Sequence, residues 1–341
     1  MLYSPLSIRY ALNTLKEGAS NNTFNEIKNL IGNKKIPKYE NIDKNVTIAD
    51  GLFIRDTFYD YVIPEYISTL KEKYDAEVIK DEFNDAKKAN QWIEDKTLGI
   101  IKNMLDDNIF KDPSVVSVLL NTVAINLEWE SPFGSSNTIN FMFYKNNGEK
   151  VKVPTMNRND IKNEAFSYYK DDYITVLNMD LKKVGDLQLE FMAIMPRMDL
   201  RIYIQKVTKE QIEEIDKNLI SSRNTVNGIN VQIPKFKFDY NLDLKNDLIS
   251  LGVKDAFSET KADFSRMVST NKSVYVSDIL QKAFIEVNES GVKAAAATVG
   301  YMYFTSAHYP EEIYINRPFM FIIRDKKTKD IWFTGTLYDP Q

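Results

Sequence analysis

The sequence predicts an α+β fold with large sheets. Helical spacing of apolar residues dominates the N-terminal third of the chain, whereas β-branched and aromatic runs dominate the rest. Helices and strands that are segregated along the chain in this way are typical of α+β domains. Because no Gly-, Ser- or Pro-rich linker divides the 341 residues, we expect a single domain over residues 1–341.

Three helical segments are expected. Each combines apolar residues at helical spacing with a capping or terminating residue. They are Pro5 to Lys16, with Ser4 as N-cap and Gly18 just beyond the end; Phe24 to Ile31, with Thr23 as N-cap and Gly32 at the end; and Ala86 to Asp106, broken near Gly99.

Strands are expected mainly in the later part of the chain, where apolar runs are short and rich in β-branched and aromatic residues. The run from Val115 to Leu127 predicts a central strand that is buried on both faces. The other expected strands are Leu187 to Met195, Val231 to Phe238, Val274 to Val287, Phe319 to Arg324 and Ile331 to Leu337.

Composition excludes several classes of site. The chain has no cysteine and a single histidine, so disulfides, thiol nucleophiles and multi-histidine metal sites are ruled out. A net charge of −4 without a basic block gives no indication of nucleic-acid binding. No apolar run reaches the ~18 residues that a membrane span needs, and the N-terminus lacks the pattern of a signal peptide.

One segment does not fit an ordinary compact domain. Gly291 to Thr298 contains four consecutive alanines directly after a long strand, and an apolar, aromatic stretch follows it. Alanine favours helix, so one interpretation is a helix followed by a strand. As an exposed loop, the same stretch would be strand-prone and uncharged, which is hazardous for a soluble protein.

This segment resembles the reactive-loop hinge of the serpin family, Glu-x-Gly-(Thr/Ser)-x-Ala-Ala-Ala-Ala-Thr. Six further blocks resemble serpin motifs, and together they run through the chain in the family's order. The matching blocks are Ser4–Ile8, Asn121–Phe133, Val151–Met156, Ile233–Phe236, Glu289–Thr298, Asn316–Phe319 and Phe333–Gly335.

The resemblance implies a serpin fold, with a large central β-sheet, two further sheets, surrounding helices and an exposed reactive-centre loop at about 289–313. It also implies a suicide-substrate inhibitor whose cleaved loop inserts into the central sheet. The implied scissile bond is Thr305–Ser306, with Phe304 and Ala307 as alternatives. The implied hinge consists of Glu289, Gly291, Val292, Ala294, Ala295, Ala296, Ala297 and Thr298.

Two polar clusters are also implied by the resemblance. Trp129, Lys235 and Glu289 are expected at the top of the central sheet, in the region that the family calls the breach. Ser4, Ser7, Asn121 and Gln281 are expected beneath the sheet opening, in the region called the shutter. Ser4 is equally well interpreted as a helix N-cap.

Four departures from the family pattern are visible. Gln281 stands where the family usually has histidine, and Val292 stands where the hinge usually has threonine or serine. The chain begins almost at the Ser4–Ile8 motif, so the family's first helix is not in this sequence: either the N-terminus was trimmed, or the sequence is incomplete, or the helix is truly absent. Only about a dozen residues separate Gly32 from the strand near Thr47, so no heparin site is evident.

The expected partner is a serine protease or a papain-like cysteine protease, and no metal, cofactor or nucleic acid is expected. We expect a monomer, with a secreted or cell-surface location favoured and a cytoplasmic one open. One alternative is a non-inhibitory serpin that acts as a substrate, a chaperone-like protein or a carrier. The other is an enzyme, but the sequence has no nucleophile elbow, P-loop or zinc-ligand spacing.

Overall fold

The computed structural model describes residues 1–33, 36, 39, 45–270, 273–277, 279–292 and 310–340. These residues form helices and several sheets, which confirms the α+β class. The helices are α1 Pro5–Gly18, α2 Asn21–Ile31, α3 Asp56–Tyr59, α4 Pro64–Tyr74, α5 Lys87–Lys96, α6 Asp107–Lys111, α7 Leu200–Lys206, α8 Lys209–Asn218 and α9 Lys245–Ser250.

The strands occur throughout the chain and become more frequent after the first six helices. They are β1 Leu2–Tyr3, β2 Val46–Arg55, β3 Glu77–Asp81, β4 Ser117–Ile125, β5 Leu127–Glu128, β6 Ile139–Tyr144, β7 Lys150–Ile161, β8 Phe166–Lys170, β9 Ile174–Asp180, β10 Leu189–Pro196, β11 Ile220–Ser221, β12 Ile229–Pro234, β13 Phe236–Asp243, β14 Leu280–Val287, β15 Gly291–Val292, β16 Glu311–Tyr314, β17 Phe319–Asp325 and β18 Ile331–Leu337.

Within the described residues these strands form four sheets. The largest has seven strands in the order β1-β18-β17-β10-β9-β8-β11. Two sheets have four strands, in the orders β16-β12-β7-β6 and β13-β14-β15-β5, and a three-stranded sheet has the order β3-β2-β4. Most neighbouring strands are antiparallel, whereas β2 pairs with β3, and β12 with β16, in parallel.

The chain divides into two compact units. The first unit comprises Met1–Leu2, Ile125–Asp239 and Ile285–Gln341, and it holds the seven-stranded sheet. Its strands β9 and β10 are buried along their whole length. Aromatic rings fill its centre: Phe191 stacks on Phe321 at 5.8 Å between centroids, and Phe236 packs against Phe321 at 5.4 Å.

The second unit comprises Tyr3–Ala124 and Tyr240–Phe284, and it holds the sheet β3-β2-β4 with helices α1 to α6 and α9. Helices α1 and α4 approach closely, because Gly18 leaves room for the ring of Tyr66: a Cβ at Gly18 would lie 3.0 Å from that ring. The Tyr66 hydroxyl donates to the Thr14 carbonyl at 3.0 Å, which fixes the contact between the two helices.

The expected helices are only partly confirmed. Helix α1 starts as expected, with Pro5 in its first turn and the Ser4 hydroxyl accepting from the Ser7 N–H at 3.2 Å. The assignment of Thr23 as a cap is wrong, because α2 begins at Asn21 and the Thr23 hydroxyl instead accepts from the Asp263 N–H. The third segment is helical only over Lys87–Lys96; the chain turns at Gly99, with φ +70, and residues 100–106 are not helical.

The expected strands near the C-terminus are confirmed as β17 and β18. The run from Val231 to Phe238 is instead two strands, β12 and β13, separated at Lys235 directly after Pro234. Proline has no N–H to donate to a sheet ladder, which favours a break there. The run from Val115 to Leu127 contains β4, whose last six residues are buried. Among the described residues, β4 is the outer strand of its sheet and not a central one.

A buried ion network stabilises the first unit. Arg324 donates from Nε to Glu190 at 2.7 Å and from its terminal nitrogens to both oxygens of Asp216. The side chains of Arg324 and Glu190 are each only 3% exposed. Burial alone would raise the pKa of Glu190, but the charges of Arg324 and Lys329 outweigh burial and hold the pKa below its ordinary value.

We expect Arg324→Met to lower the free energy of unfolding by about 3–5 kcal/mol, because it leaves the buried Glu190 carboxylate without its main partner. Arg223→Met is the matched control, since Arg223 pairs with Glu164 at an exposed position, where ion pairs contribute about 1 kcal/mol or less. Urea unfolding measures both variants. Equal losses in the two variants would contradict this account of the network.

Candidate functional site

The short strand β15 lies between β14 and β5 in its sheet. Gly291 pairs with Glu128, and Val292 pairs with Leu127 on one side and with Val287 on the other. Both pairings are antiparallel. The first two residues of the alanine-rich segment therefore already occupy a sheet position between β14 and β5.

Gly291 is required at its position by the close approach of the neighbouring backbone. A Cβ there would lie 2.2 Å from the Leu127 carbonyl oxygen and 2.5 Å from the Glu128 Cα. These atoms belong to the backbone of β5 and have no side-chain rotation with which to move away. The next residue, Val292, is 3% exposed and packs as a core residue.

The preceding turn is fixed by the buried Trp129. The Trp129 indole N–H donates to the Asn288 carbonyl at 2.8 Å, and its backbone N–H donates to the Ser290 carbonyl at 2.8 Å. The Asn288 side chain accepts from the N–H groups of Ser290 and Gly291. The Trp129 ring also meets Phe191 edge-on at 5.7 Å, so the turn is connected to the aromatic core of the first unit.

Glu289 forms an ion pair at the same turn. Its carboxylate lies 2.9 Å from Lys235 Nζ and accepts from the Thr138 hydroxyl at 2.6 Å. Burial raises the pKa of Glu289, but the Thr138 and Lys235 hydrogen bonds outweigh burial and lower the pKa overall. Glu289 therefore stays ionised, and Trp129, Lys235 and Glu289 are brought together around β15.

The second unit holds another polar cluster. Gln281 Oε1 accepts from the Ser4 N–H at 2.9 Å, and Gln281 Nε2 donates to the Ser4 carbonyl at 3.2 Å. The Ser7 hydroxyl donates to Asn121 Oδ1, and the Ser7 N–H donates to the Ser4 hydroxyl. The structure thus brings Ser4, Ser7, Asn121 and Gln281 together in one hydrogen-bonded chain, and Ser4 is also the N-cap of α1.

Sequence reasoning missed one member of this cluster. Asn121 Nδ2 donates to Asp50 Oδ1 at 2.6 Å, and Asp50 is 2% exposed. Burial is the main cause that raises the pKa of Asp50 to about 7, against the opposing effect of the Asn121 hydrogen bond. The signal in the sequence was an acidic residue, Asp50, in the middle of the apolar strand Val46–Arg55.

Several expected site residues lie outside the described part of the chain. They are the hinge residues Ala294, Ala295, Ala296, Ala297 and Thr298, and the candidate bond residues Phe304, Thr305, Ser306 and Ala307. In the part that the structure does describe, no three His, Asp or Glu side chains are placed to hold a metal ion. No described helix is both long and apolar enough to cross a membrane.

Comparison with known proteins identifies the family. The family model for serpins, described as serine protease inhibitors, matches residues 1–340. The chain belongs to the serpin family. The leukocyte elastase inhibitor of Xenopus laevis is 27% identical to this serpin over 100% of this chain and 93% of its own length.

Solved structures support the same assignment. The native state of Tengpin, a thermophilic serpin, superimposes with a TM-score of 0.82 at 28% identity, covering 99% of this chain and 88% of that one. Thyroxine-binding globulin in complex with thyroxine also has a TM-score of 0.82, at 24% identity, covering 100% of this chain and 93% of that one. At this identity, the second similarity concerns the fold alone.

In this serpin, we expect Gly291→Ala to separate β15 from β5, because the added methyl group and the Leu127 carbonyl cannot occupy the same space. The amide hydrogens of Trp129 and Asn288, which bond to Ser290 and Gly291, should then exchange on the order of 10-fold faster. Val292→Ala is the control, since it removes atoms and leaves the backbone spacing intact. Unchanged exchange in Gly291→Ala would mean that the close approach does not constrain β15.

Proposed function

We propose that this serpin inhibits proteases as a suicide substrate. The observation that carries the proposal is the pairing of Gly291 and Val292 between β14 and β5, since a strand that has started there needs only to be extended. Insertion of a loop as an added strand is already known for serpins as a mode of β-strand addition. The family description and the leukocyte elastase inhibitor among the relatives support the same function.

The proposed reaction begins at the Thr305–Ser306 bond. The serine or cysteine nucleophile of the protease attacks the Thr305 carbonyl carbon, the bond to the Ser306 nitrogen breaks, and that nitrogen leaves as a protonated amine. The protease is then bound to Thr305 as an ester or thioester. The inhibitor is not itself an enzyme in this scheme, because the catalytic groups belong to the protease.

Strand geometry explains the choice of hinge residues. Successive side chains of a strand alternate between faces, so Ala294, Ala296 and Thr298 would follow Val292 onto its buried face. These side chains are small and uncharged, and small side chains enter a packed interior without overpacking it. Lys293 is the only charged residue from Gly291 to Thr298, and it falls on the opposite face.

Insertion supplies the driving force for trapping. Roughly a dozen new ladder hydrogen bonds at about 1 kcal/mol each would stabilise the inserted form by on the order of 10 kcal/mol. This is comparable with the whole stability of a typical domain. The contacts of Trp129, Lys235 and Glu289 would hold the start of the strand fixed while the rest of the hinge moves.

The loop sequence limits the classes of protease that this serpin would inhibit. No Arg or Lys lies between Val299 and Tyr309, so the carboxylate in a trypsin-like pocket would find no partner. With Thr305 as the bait residue, an elastase-like pocket fits, and Phe304 suits papain-like enzymes that recognise the preceding residue. With Phe304 as the bait, chymotrypsin-like and subtilisin-like enzymes fit. We propose that the protein acts as a monomer.

A panel of elastase-like, chymotrypsin-like, subtilisin-like and papain-like enzymes tests the function, with trypsin as the unfavourable case. At least one enzyme other than trypsin should form a complex that survives boiling in SDS, and mass spectrometry of the released peptide should place the cut at Thr305–Ser306. If every enzyme cleaves the loop and turns over freely, the inhibitory function is refuted. Rapid stoichiometric inhibition of trypsin would refute the assigned specificity.

Val292→Arg should convert the inhibitor into a substrate. The side chain at this position is buried in the sheet, and an unpaired guanidinium there is costly, so insertion slows relative to hydrolysis of the acyl-enzyme. The number of inhibitor molecules consumed per protease should rise several-fold. Val292→Ala should behave like the parent; if Val292→Arg does so as well, the hinge does not insert on this face.

A second candidate is a non-inhibitory serpin that acts as a carrier or substrate. One observation favours it: Val292 replaces the usual threonine or serine of the hinge. A carrier would be cleaved by the panel without forming covalent complexes. Thermal unfolding after cleavage distinguishes the two, since only loop insertion raises the midpoint substantially.

A further inference from the structure

Asp50 is a buried carboxylate with no part in the proposed inhibitory reaction. It lies on β2 and is 2% exposed. Within the described residues, the side-chain amide of Asn121 donates a hydrogen bond to the Asp50 carboxyl at 2.6 Å. A buried carboxylate usually requires a cation or several donors, because removing an isolated charge from water is costly. Asp50 therefore sits in an environment that favours its protonated form.

Asp50 also ends a chain of hydrogen bonds that joins four elements. From Asp50 on β2, the chain continues through Asn121 on β4 to Ser7 on α1. It continues through Ser4, at the start of α1, to Gln281 on β14. Asn121 donates to Asp50 and accepts from Ser7, so the orientation of its amide connects the carboxyl with the helix.

Among the described residues, the charge of Asp50 acts on two tyrosines, Tyr10 and Tyr74. Burial, and next the negative charge of Asp50, raise the pKa of Tyr10 on α1. Burial, then the charges of Glu17 and Asp50, raise the pKa of Tyr74 on α4. Both tyrosines are therefore neutral at pH 7. Glu17, which accepts from the Tyr74 hydroxyl at 2.9 Å, adds a further negative charge on that side.

We propose that Asp50 is a proton-controlled latch: its protonated carboxyl holds β2, β4, α1 and β14 together, and its ionised carboxylate loosens them. A neutral carboxyl is compatible with this buried surrounding. An ionised carboxylate gains stability from any movement that admits water or brings a new donor. The latch concerns the second unit alone; its effect on loop insertion rests on the proposed inhibitory function.

The sign of the pH effect follows from the raised pKa. The unfolded chain releases the Asp50 proton near the ordinary value of 3.8, whereas the folded chain keeps it until about pH 7. Between these two values the folded state binds the extra proton, so the stability that Asp50 contributes falls as pH rises through this window. Above about pH 7 the loss is complete, and the latch is loose.

The test uses Asp50→Asn, which keeps the shape and the acceptor for Asn121 but cannot ionise. All variants carry His308→Gln, which removes the only histidine in the chain, because histidine is the residue type whose unperturbed side chain changes charge between pH 5 and 8. Asp81→Asn is the matched control: Asp81 is a buried carboxylate on the neighbouring strand β3 whose Oδ1 accepts from the Phe83 N–H. Thermal midpoints and amide exchange are measured at about pH 6 and about pH 8.

The midpoint of the parent should fall by about 2 °C between the two pH values, and amide exchange in β4 and α1, corrected for intrinsic rates, should speed up. Asp50→Asn should remove most of both changes, whereas Asp81→Asn should keep them. Parallel pH profiles for the parent and Asp50→Asn would overturn the latch.

If Asp50→Asn does not fold, infrared titration of the parent remains decisive, because a protonated carboxyl band must persist to near-neutral pH and then disappear. Its absence at about pH 6 would also overturn the proposal.

Where covalent complexes form, their rate of formation should rise with pH in the parent more than in Asp50→Asn. A protein that forms no complexes refutes the inhibitory function and leaves the midpoint and exchange measurements as the test of the latch.

Discussion

The backbone of β15 passes so close to β5 at Gly291 that only a residue without a side chain fits there. The contacts around that point depend on this approach. Trp129 can bond to both Asn288 and Ser290 because the turn lies directly over β5, and Val292 becomes a core residue because β14 and β5 cover it. The ion pair between Glu289 and Lys235 then orients the turn at its partly exposed edge, where such a pair adds little stability but does limit geometry.

Sequence patterns predicted this structure well where local chemistry determined it. Ser4 and Pro5 marked the start of α1, and the apolar runs of β17 and β18 left no alternative to strands. Local rules failed where a more distant group decided the outcome. The hydroxyl of Thr23 accepts from Asp263, which is remote in sequence. Most of β4 is buried although, among the described residues, it is the outer strand of its sheet. Burial therefore predicted a strand there but not its place in the sheet.

The candidate site shows the same limit. The neighbourhood of Trp129, Lys235 and Glu289 could be expected only from the resemblance to a family, because no spacing within one sequence brings residues so far apart together. Asp50 was missed for a related reason. An aspartate in an apolar strand is ordinarily turned towards solvent, and only the positions of β4 and α1 show that this one is enclosed and bonded to Asn121.

The series of hydrogen bonds from Asp50 to Gln281 differs energetically from the apolar packing around it. A hydrogen bond contributes only about 1 kcal/mol net, but a buried partner left unpaired costs about 1–3 kcal/mol. Replacing these hydrogen bonds with another set therefore costs little free energy, whereas breaking them without replacement is costly. Apolar packing behaves in the opposite way, since any separation exposes area and creates voids. Under the proposed function, in which a sheet admits a new strand, polar groups would close the opening better than apolar ones, since an incoming backbone can replace the partners that they lose.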